Sequence, residues 1–144
     1  MKTLAALVVC LAFAQPLWAA DWTGTWTSKS HPGITMTIEP YGAGGSRITY
    51  HIKMDSKVIV MSMESALNGS EATVMFDGKP SGETMAIKRL DDRHTYTVIK
   101  MNGQPFGTSK SELSADGKTL ISENDPPSVA GAPSVKTTEI WDRK

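Results

Sequence analysis

The chain has 144 residues, with 15 lysines and arginines balanced by 15 aspartates and glutamates, so its formal net charge at pH 7 is zero. Neither sign of charge is clustered, whereas binding to nucleic acid or to an anionic membrane surface needs a clustered basic face. The composition therefore argues against nucleic acid and against a polybasic membrane contact.

Residues 1–20 have the layout of a secretory signal peptide. Lys2 gives a positive start, an apolar run extends from Leu4 to Phe13, and Ala19 and Ala20 offer small residues for cleavage. The run is too short to span a bilayer. We expect cleavage after Ala19 or Ala20, a single mature domain of residues 21–144, and secretion, in a bacterium to the periplasm. An integral membrane protein is not expected.

From Trp22 onwards, apolar and polar residues alternate with a period of two, which is typical of half-buried strands. No stretch has apolar residues at helical spacing, so no substantial helix is expected beyond the signal peptide. The alternation, together with short apolar runs, predicts ten strands, at residues 22–27, 34–38, 48–54, 58–63, 72–76, 84–90, 95–101, 106–113, 118–123 and 135–141.

Short turn signals separate these strands and predict antiparallel neighbours. Sequential hairpins form an up-and-down meander, and closing the meander removes the exposed edges that a sandwich would leave. The sequence therefore predicts an all-β, antiparallel up-and-down β-barrel of about 8–10 strands. Residues 125–134, which include prolines that cannot donate to a sheet, are expected to form an exposed loop. The turn signals are residues 42–45, Asn68-Gly69, Asp77-Gly78, Asn102-Gly103 and Asp116-Gly117.

The opening of the predicted domain carries a family resemblance. Gly24-Thr25-Trp26 resembles the G-x-W signature that opens lipocalins and fatty-acid-binding proteins. "TGTWTSKS", the stretch 85–120 and the closing "TTEIWDRK" resemble the corresponding parts of small secreted bacterial lipocalin-like proteins. The resemblance implies a calycin barrel whose closed end is plugged by Trp26. It also implies that Gly24 lets the chain cross this end, and that Arg143 stacks on the indole in a cation–π contact.

One departure from the family concerns the ligand. The resemblance implies an Arg-x-Tyr pair on the last strand, which grips a carboxylate in the intracellular fatty-acid-binding proteins. This chain has Glu139 and Trp141 at those positions. Because no positive charge is present there, a neutral or cationic apolar ligand is favoured over a carboxylate.

The leading hypothesis is a secreted or periplasmic protein that binds or carries a small apolar, lipid-like molecule. The alternative is a barrel with a side-chain-filled interior that acts through its surface as a binding or inhibitor module, with the loop 125–134 as its contact. An enzyme that uses the barrel as a pocket is a third hypothesis. The candidate pocket residues are bulky members of the alternating sets, namely Tyr50, Ile52, Met54, Met61, Met63, Met85, Tyr96, Val98 and Trp141.

No residue pattern predicts a catalytic site, a metal site or a cofactor. A nucleophile-elbow motif does not occur, and the single cysteine, Cys10, lies in the signal peptide. The three histidines occupy separate predicted segments, and the pair Met61 and Met63 lacks a third soft ligand nearby in sequence. The identity of the ligand, the oligomeric state and the inward face of each strand stay open, because a shift of one residue exchanges the two faces.

Overall fold

The computed structural model describes residues 20–127 and 134–144. The segments in which apolar and polar residues alternate form ten β-strands in it. The described residues contain no helix, and the all-β prediction is confirmed. The signal-peptide prediction for residues 1–20 and the tip of the predicted loop, 128–133, lie outside the described residues except for Ala20. The strands are β1 (Gly24–Ser28), β2 (Ile34–Tyr41), β3 (Gly45–Met54), β4 (Lys57–Ser65), β5 (Asn68–Phe76), β6 (Lys79–Arg89), β7 (His94–Met101), β8 (Gln104–Leu113), β9 (Thr119–Asp125) and β10 (Thr137–Arg143).

The ten strands form a closed antiparallel barrel in which each strand pairs with its neighbours in the chain. Closure is made by β1 and β10, where Trp26 lies opposite Arg143. The predicted up-and-down barrel is therefore confirmed. This topology gives the barrel two ends. We call the end that carries residues 20–23 and the β2–β3, β4–β5, β6–β7 and β8–β9 turns the sealed end, and the opposite end the mouth.

Trp26 closes the sealed end. Its side chain has no exposed surface, and the Arg143 guanidinium carbon lies 4.3 Å from the centre of its ring. Arg143 also donates hydrogen bonds to the backbone oxygens of Thr23 and Gly117, so the last strand, the first residues and the β8–β9 turn are joined. Gly24 passes so close that an added Cβ would lie 2.9 Å from the Arg143 Nη1 atom. Its φ of +124° is also one that side-chain-bearing residues rarely adopt.

Trp22 is the second indole at this end. It is buried, its Nε1 donates a hydrogen bond to the Asp92 carbonyl oxygen at 2.7 Å, and its own carbonyl accepts one from Trp26 Nε1 at 3.2 Å. The segment before β1 is thereby tied to the β6–β7 turn. The two tryptophans belong to one core cluster, whose buried members are Trp22, Trp26, Met36, Ile38, Ile48, Met63, Val74, Ile87, Leu113, Leu120 and Trp141.

The turn predictions hold at four positions and fail at a fifth. The turns expected at residues 42–45 and at Asp116-Gly117 form between β2 and β3 and between β8 and β9. Asp77-Gly78 and Asn102-Gly103 form turns in which both residues have positive φ, as tight antiparallel hairpins require. The prediction of a turn at Asn68-Gly69 is wrong, because both residues lie in β5 and the chain reverses just before them, where Leu67 has a φ of 57°.

The side chain of Asn68 explains this difference. Its Oδ1 accepts hydrogen bonds from the Ser70 backbone nitrogen at 2.9 Å and from the Ser70 hydroxyl at 2.7 Å. The register between β5 and β6 shifts between Asn68 and Glu71. The Asn-Gly pair therefore forms an irregularity at the start of a strand, where positive φ at glycine is also tolerated.

Candidate functional site

The interior of the barrel contains a cavity of about 200 Å³. Alternate residues of most strands line it, and Trp22 and Leu120 border it towards the sealed end. An engineered apolar cavity of about 150 Å³ is large enough to bind benzene. The interior is thus suited in size to one small molecule, and it is too small for a long acyl chain without expansion.

The wall of the cavity is apolar on one side and rich in hydroxyl groups on the other. Strands β2, β3, β4 and β6 contribute mainly methionine and isoleucine, whereas β7, β8 and β9 contribute the polar groups. The hydroxyls of Ser111 and Ser122 are hydrogen-bonded to each other at 2.8 Å. Other hydroxyls on this wall are available to a bound molecule. The polar wall consists of Thr95, Thr97, Ser109, Ser111, Ser122 and Asn124.

Glu139 brings a carboxylate to the cavity from β10. The Ser28 hydroxyl donates a hydrogen bond to its Oε1 atom, and the His31 backbone nitrogen donates one to the Ser28 oxygen at 2.9 Å. The His31 ring nitrogen Nδ1 lies 3.7 Å from Glu139 Oε1. The side chain of Glu139 is 21% exposed. The connection between β1 and β2 therefore orients a largely enclosed carboxylate at the mouth half of the barrel.

Glu83 is a second carboxylate on the inner face. It lies on β6 two residues before Met85, which lines the cavity, and alternation gives the two residues the same face. Burial raises the pKa of Glu83 above its ordinary value. Among the described residues, no cation lies within ion-pair distance of this carboxylate.

Tyr50 lines the cavity from β3. Burial raises the pKa of Tyr50 to about 12, and the negative charges of Glu83 and Glu139 contribute to the rise. Its ring meets Trp141 edge to face, with centroids 5.8 Å apart. The phenol of Tyr50, the indole of Trp141 and the carboxylate of Glu139 thus all line the cavity.

Glu83→Gln is expected to raise the free energy of unfolding at neutral pH, by less than about 1 kcal/mol because the group keeps some solvent contact. A folded-state pKa above the unfolded value means that ionisation opposes folding. Below pH 4.5 Glu83 is neutral in both the folded and the unfolded chain, and its burial does not lower the free energy of unfolding through ionisation. As pH rises through the raised folded-state pKa, the buried carboxylate becomes charged and the free energy of unfolding falls. The gain from glutamine should therefore disappear at about pH 4 in urea unfolding experiments.

The matched control is Glu123→Gln, because Glu123 is exposed on β9 and alternates with cavity-lining residues. We expect this substitution to leave the unfolding free energy almost unchanged at both pH values. A gain from Glu83→Gln that persisted unchanged at about pH 4 would contradict an ionisation effect at Glu83.

Four of the nine residues proposed from the sequence line the cavity, namely Tyr50, Met63, Met85 and Trp141. Met61 is half-buried and packs against the core cluster beside the cavity. Ile52 is half-buried nearer the mouth, and Met54 is 56% exposed at the β3–β4 turn.

Tyr96 and Val98 lie on the outer face of β7, which corrects the expectation that they point inwards. Thr95, Thr97 and Ile99 alternate with them and line the cavity. The register is therefore opposite to the one expected from side-chain size. Lys100 belongs to the same alternating set as Tyr96 and Val98, and its charge is a sequence signal that this set faces outwards.

The hydroxyl wall was not among the features predicted from the sequence. Ser109 and Ser111 alternate with Lys110 and Glu112, which are exposed. Two charged residues at alternate positions indicate the outer face of a strand, so the serines between them must face inwards. No sequence signal indicates that Glu83 faces inwards, because the alternation of apolar and polar residues places charged side chains on the outer face.

No family model matches the chain, and no curated protein matches it at a significant level. Within residues 20–127 and 134–144, no helical segment has the length and apolar character needed to cross a membrane. The same residues contain no group of three histidine, cysteine or acidic side chains arranged to hold a metal ion.

Proposed function

We propose that this protein binds one small, largely apolar molecule inside its barrel, as a lipocalin-like binding or carrier protein. The observation that carries the proposal is the cavity of about 200 Å³ in a closed ten-strand barrel. The G-x-W resemblance at Gly24 and Trp26 supports it, and so does the stacking of Arg143 on Trp26.

The size of the cavity indicates a ligand of roughly ten non-hydrogen atoms. Burial of an alkyl chain contributes about 0.8 kcal/mol for each CH₂ group, so a six-carbon chain gives about 5 kcal/mol. This free energy corresponds to a dissociation constant of about 0.1–1 mM. Hydrogen bonds from the hydroxyl wall would add affinity and specificity for the natural ligand.

The alternative, a surface-acting module, requires an interior filled by side chains. The open interior favours binding inside the barrel over this alternative. Function as a binding protein rather than an enzyme is part of the proposal.

Titration with 1-hexanol tests the proposal, because Trp22 and Trp141 border the cavity and their fluorescence reports its occupancy. We expect a saturable change with a dissociation constant of about 0.1–1 mM. Native mass spectrometry of protein from its own host should also show a small-molecule adduct. The absence of both a saturable hexanol response and a small-molecule adduct would overturn the proposal.

Export is a further part of the proposal and is supported by the signal-like pattern of residues 1–20. In a bacterial host, the protein should be recovered in the periplasmic fraction with its N-terminus at Ala20 or Asp21. Recovery of the chain from the cytosol with residues 1–20 still attached would contradict export.

A further inference from the structure

The two carboxylates on the inner face of the barrel lie towards the same end. Glu83 pairs with Met101 beside the β7–β8 turn, and Glu139 follows shortly after the β9–β10 connection, so both carboxylates belong to the mouth half. Arg89, the one basic residue among the described residues that line the cavity, is at the end of β6 next to the sealed end and is exposed. The carboxylates therefore belong to the mouth half, whereas the sealed end is bordered by the apolar side chains of Trp22, Leu67 and Leu120 together with polar groups such as Ser46 and Thr95.

We propose that the ligand is a small amphiphilic cation, such as an alkylamine or arylamine. Its positive group would lie between Glu83 and Glu139, and its apolar part would point towards the sealed end. This inference rests on the proposed binding function and adds the class of ligand.

Three features of the site support a cation. First, Glu139 lines the cavity and Glu83 lies on the same face of β6 as the lining residue Met85. Like charges in a poorly solvated site are costly unless an opposite charge is present. Second, the aromatic side chains of Tyr50 and Trp141 line the cavity, and aromatic ring faces attract a cation. Third, Tyr50 lines the cavity, and its hydroxyl oxygen can accept a hydrogen bond from an ammonium group.

Competing ligand classes fit less well. A carboxylate ligand would meet the negative potential of Glu83 and Glu139, and the arginine that could attract it lies at the opposite end of the cavity. A metal ion would find two carboxylates without a third acidic or histidine ligand in the described residues. It would also leave the apolar wall uncovered.

Three probes with the same six-carbon chain test the inference, namely hexylamine, 1-hexanol and hexanoate at pH 7. In calorimetric titrations, we expect hexylamine to bind at least about 10-fold more tightly than hexanol, and hexanoate to bind most weakly. The comparison uses the unsubstituted protein and so does not depend on the folding of a variant.

Paired substitutions then locate the preference. Glu83→Gln with Glu139→Gln should reduce the preference for hexylamine over hexanol to less than about 3-fold, chiefly because hexylamine binds more weakly. The control is Glu112→Gln with Glu123→Gln, which removes the same charge from exposed positions and should keep the preference.

The outcomes separate the two proposals. If hexanol binds and hexylamine binds no more tightly, the cation inference is overturned while the binding function stands. Preference for hexanoate overturns the inference in the same way. If none of the probes binds, both proposals fail. If the exposed pair reduces the preference as much as the inner pair, the preference arises from net charge, and the assignment to Glu83 and Glu139 is wrong.

Discussion

Trp26→Ala is expected to lower the free energy of unfolding by about 3–5 kcal/mol, the range found for truncating a large aromatic residue in a core. The indole has no exposed surface, and its removal would leave a void at the sealed end. It would also leave the Arg143 guanidinium without the ring over which it lies. Because domains of this size are stable by only about 5–15 kcal/mol, the variant should be close to unfolding at physiological temperature.

Chemical denaturation followed by far-ultraviolet circular dichroism measures this loss without depending on tryptophan fluorescence. The control is Phe106→Ala, because Phe106 is 49% exposed and its truncation should change stability by no more than about 0.5 kcal/mol. Similar losses at the two positions would contradict the role of Trp26 as the plug of the barrel.

A double-mutant cycle separates the contribution of the stacking contact from that of the void left by removal of the indole. Combining Trp26→Ala with Arg143→Met should give a coupling energy of about 0.5–2 kcal/mol, the range for a cation–π pair. Arg143→Met alone also removes hydrogen bonds to Thr23 and Gly117. Their contribution to the free energy of unfolding is lost with or without Trp26, and so it cancels in the coupling energy. A coupling energy of zero would show that Arg143 acts only through those hydrogen bonds.

The strands and their closure were predictable because they depend on local patterns. Alternation along β2 and β3 places Met36, Ile38 and Ile48 in the core, and the turn at Asn102-Gly103 sets its hairpin without help from distant residues. The turn expected at Asn68-Gly69 failed because Asn-Gly can satisfy its backbone preferences in an irregular strand as well as in a hairpin. Neighbouring residues within the strand decide between the two.

The candidate site was less predictable, because a cavity is what summed side-chain volumes leave unfilled. On β7, the larger side chains of Tyr96 and Val98 suggested an inner face, yet the structure directs the smaller Thr95 and Thr97 inwards. Because these inward side chains are small, they leave the interior of the barrel partly unfilled. Glu83 breaks the alternation outright, and positions that break a local rule are often functional. No such exception can be identified from a single sequence without the fold.

Ser109→Phe is expected to abolish binding of small apolar molecules, with hexanol affinity falling by more than about 30-fold. Ser109 lines the cavity from β8, so a ring at this position would occupy much of a space of about 200 Å³. Filling an existing cavity usually leaves stability unchanged or raises it by about 0.5–2 kcal/mol. Loss of binding with retained stability would therefore identify blocked space rather than unfolding as the cause.

The neighbouring position supplies a matched control. Lys110→Phe adds the same ring one residue further along β8, where alternation directs it outwards and Lys110 is exposed. This variant should bind hexanol within about twofold of the unsubstituted protein. If both variants keep their affinity, hexanol binds outside the barrel and the proposed function loses its main support. If only Lys110→Phe loses affinity, the binding surface is the outer face of β8. Loss at Ser109 alone is the result that places the ligand inside, because the two substitutions differ only in the face of the strand on which the ring lies.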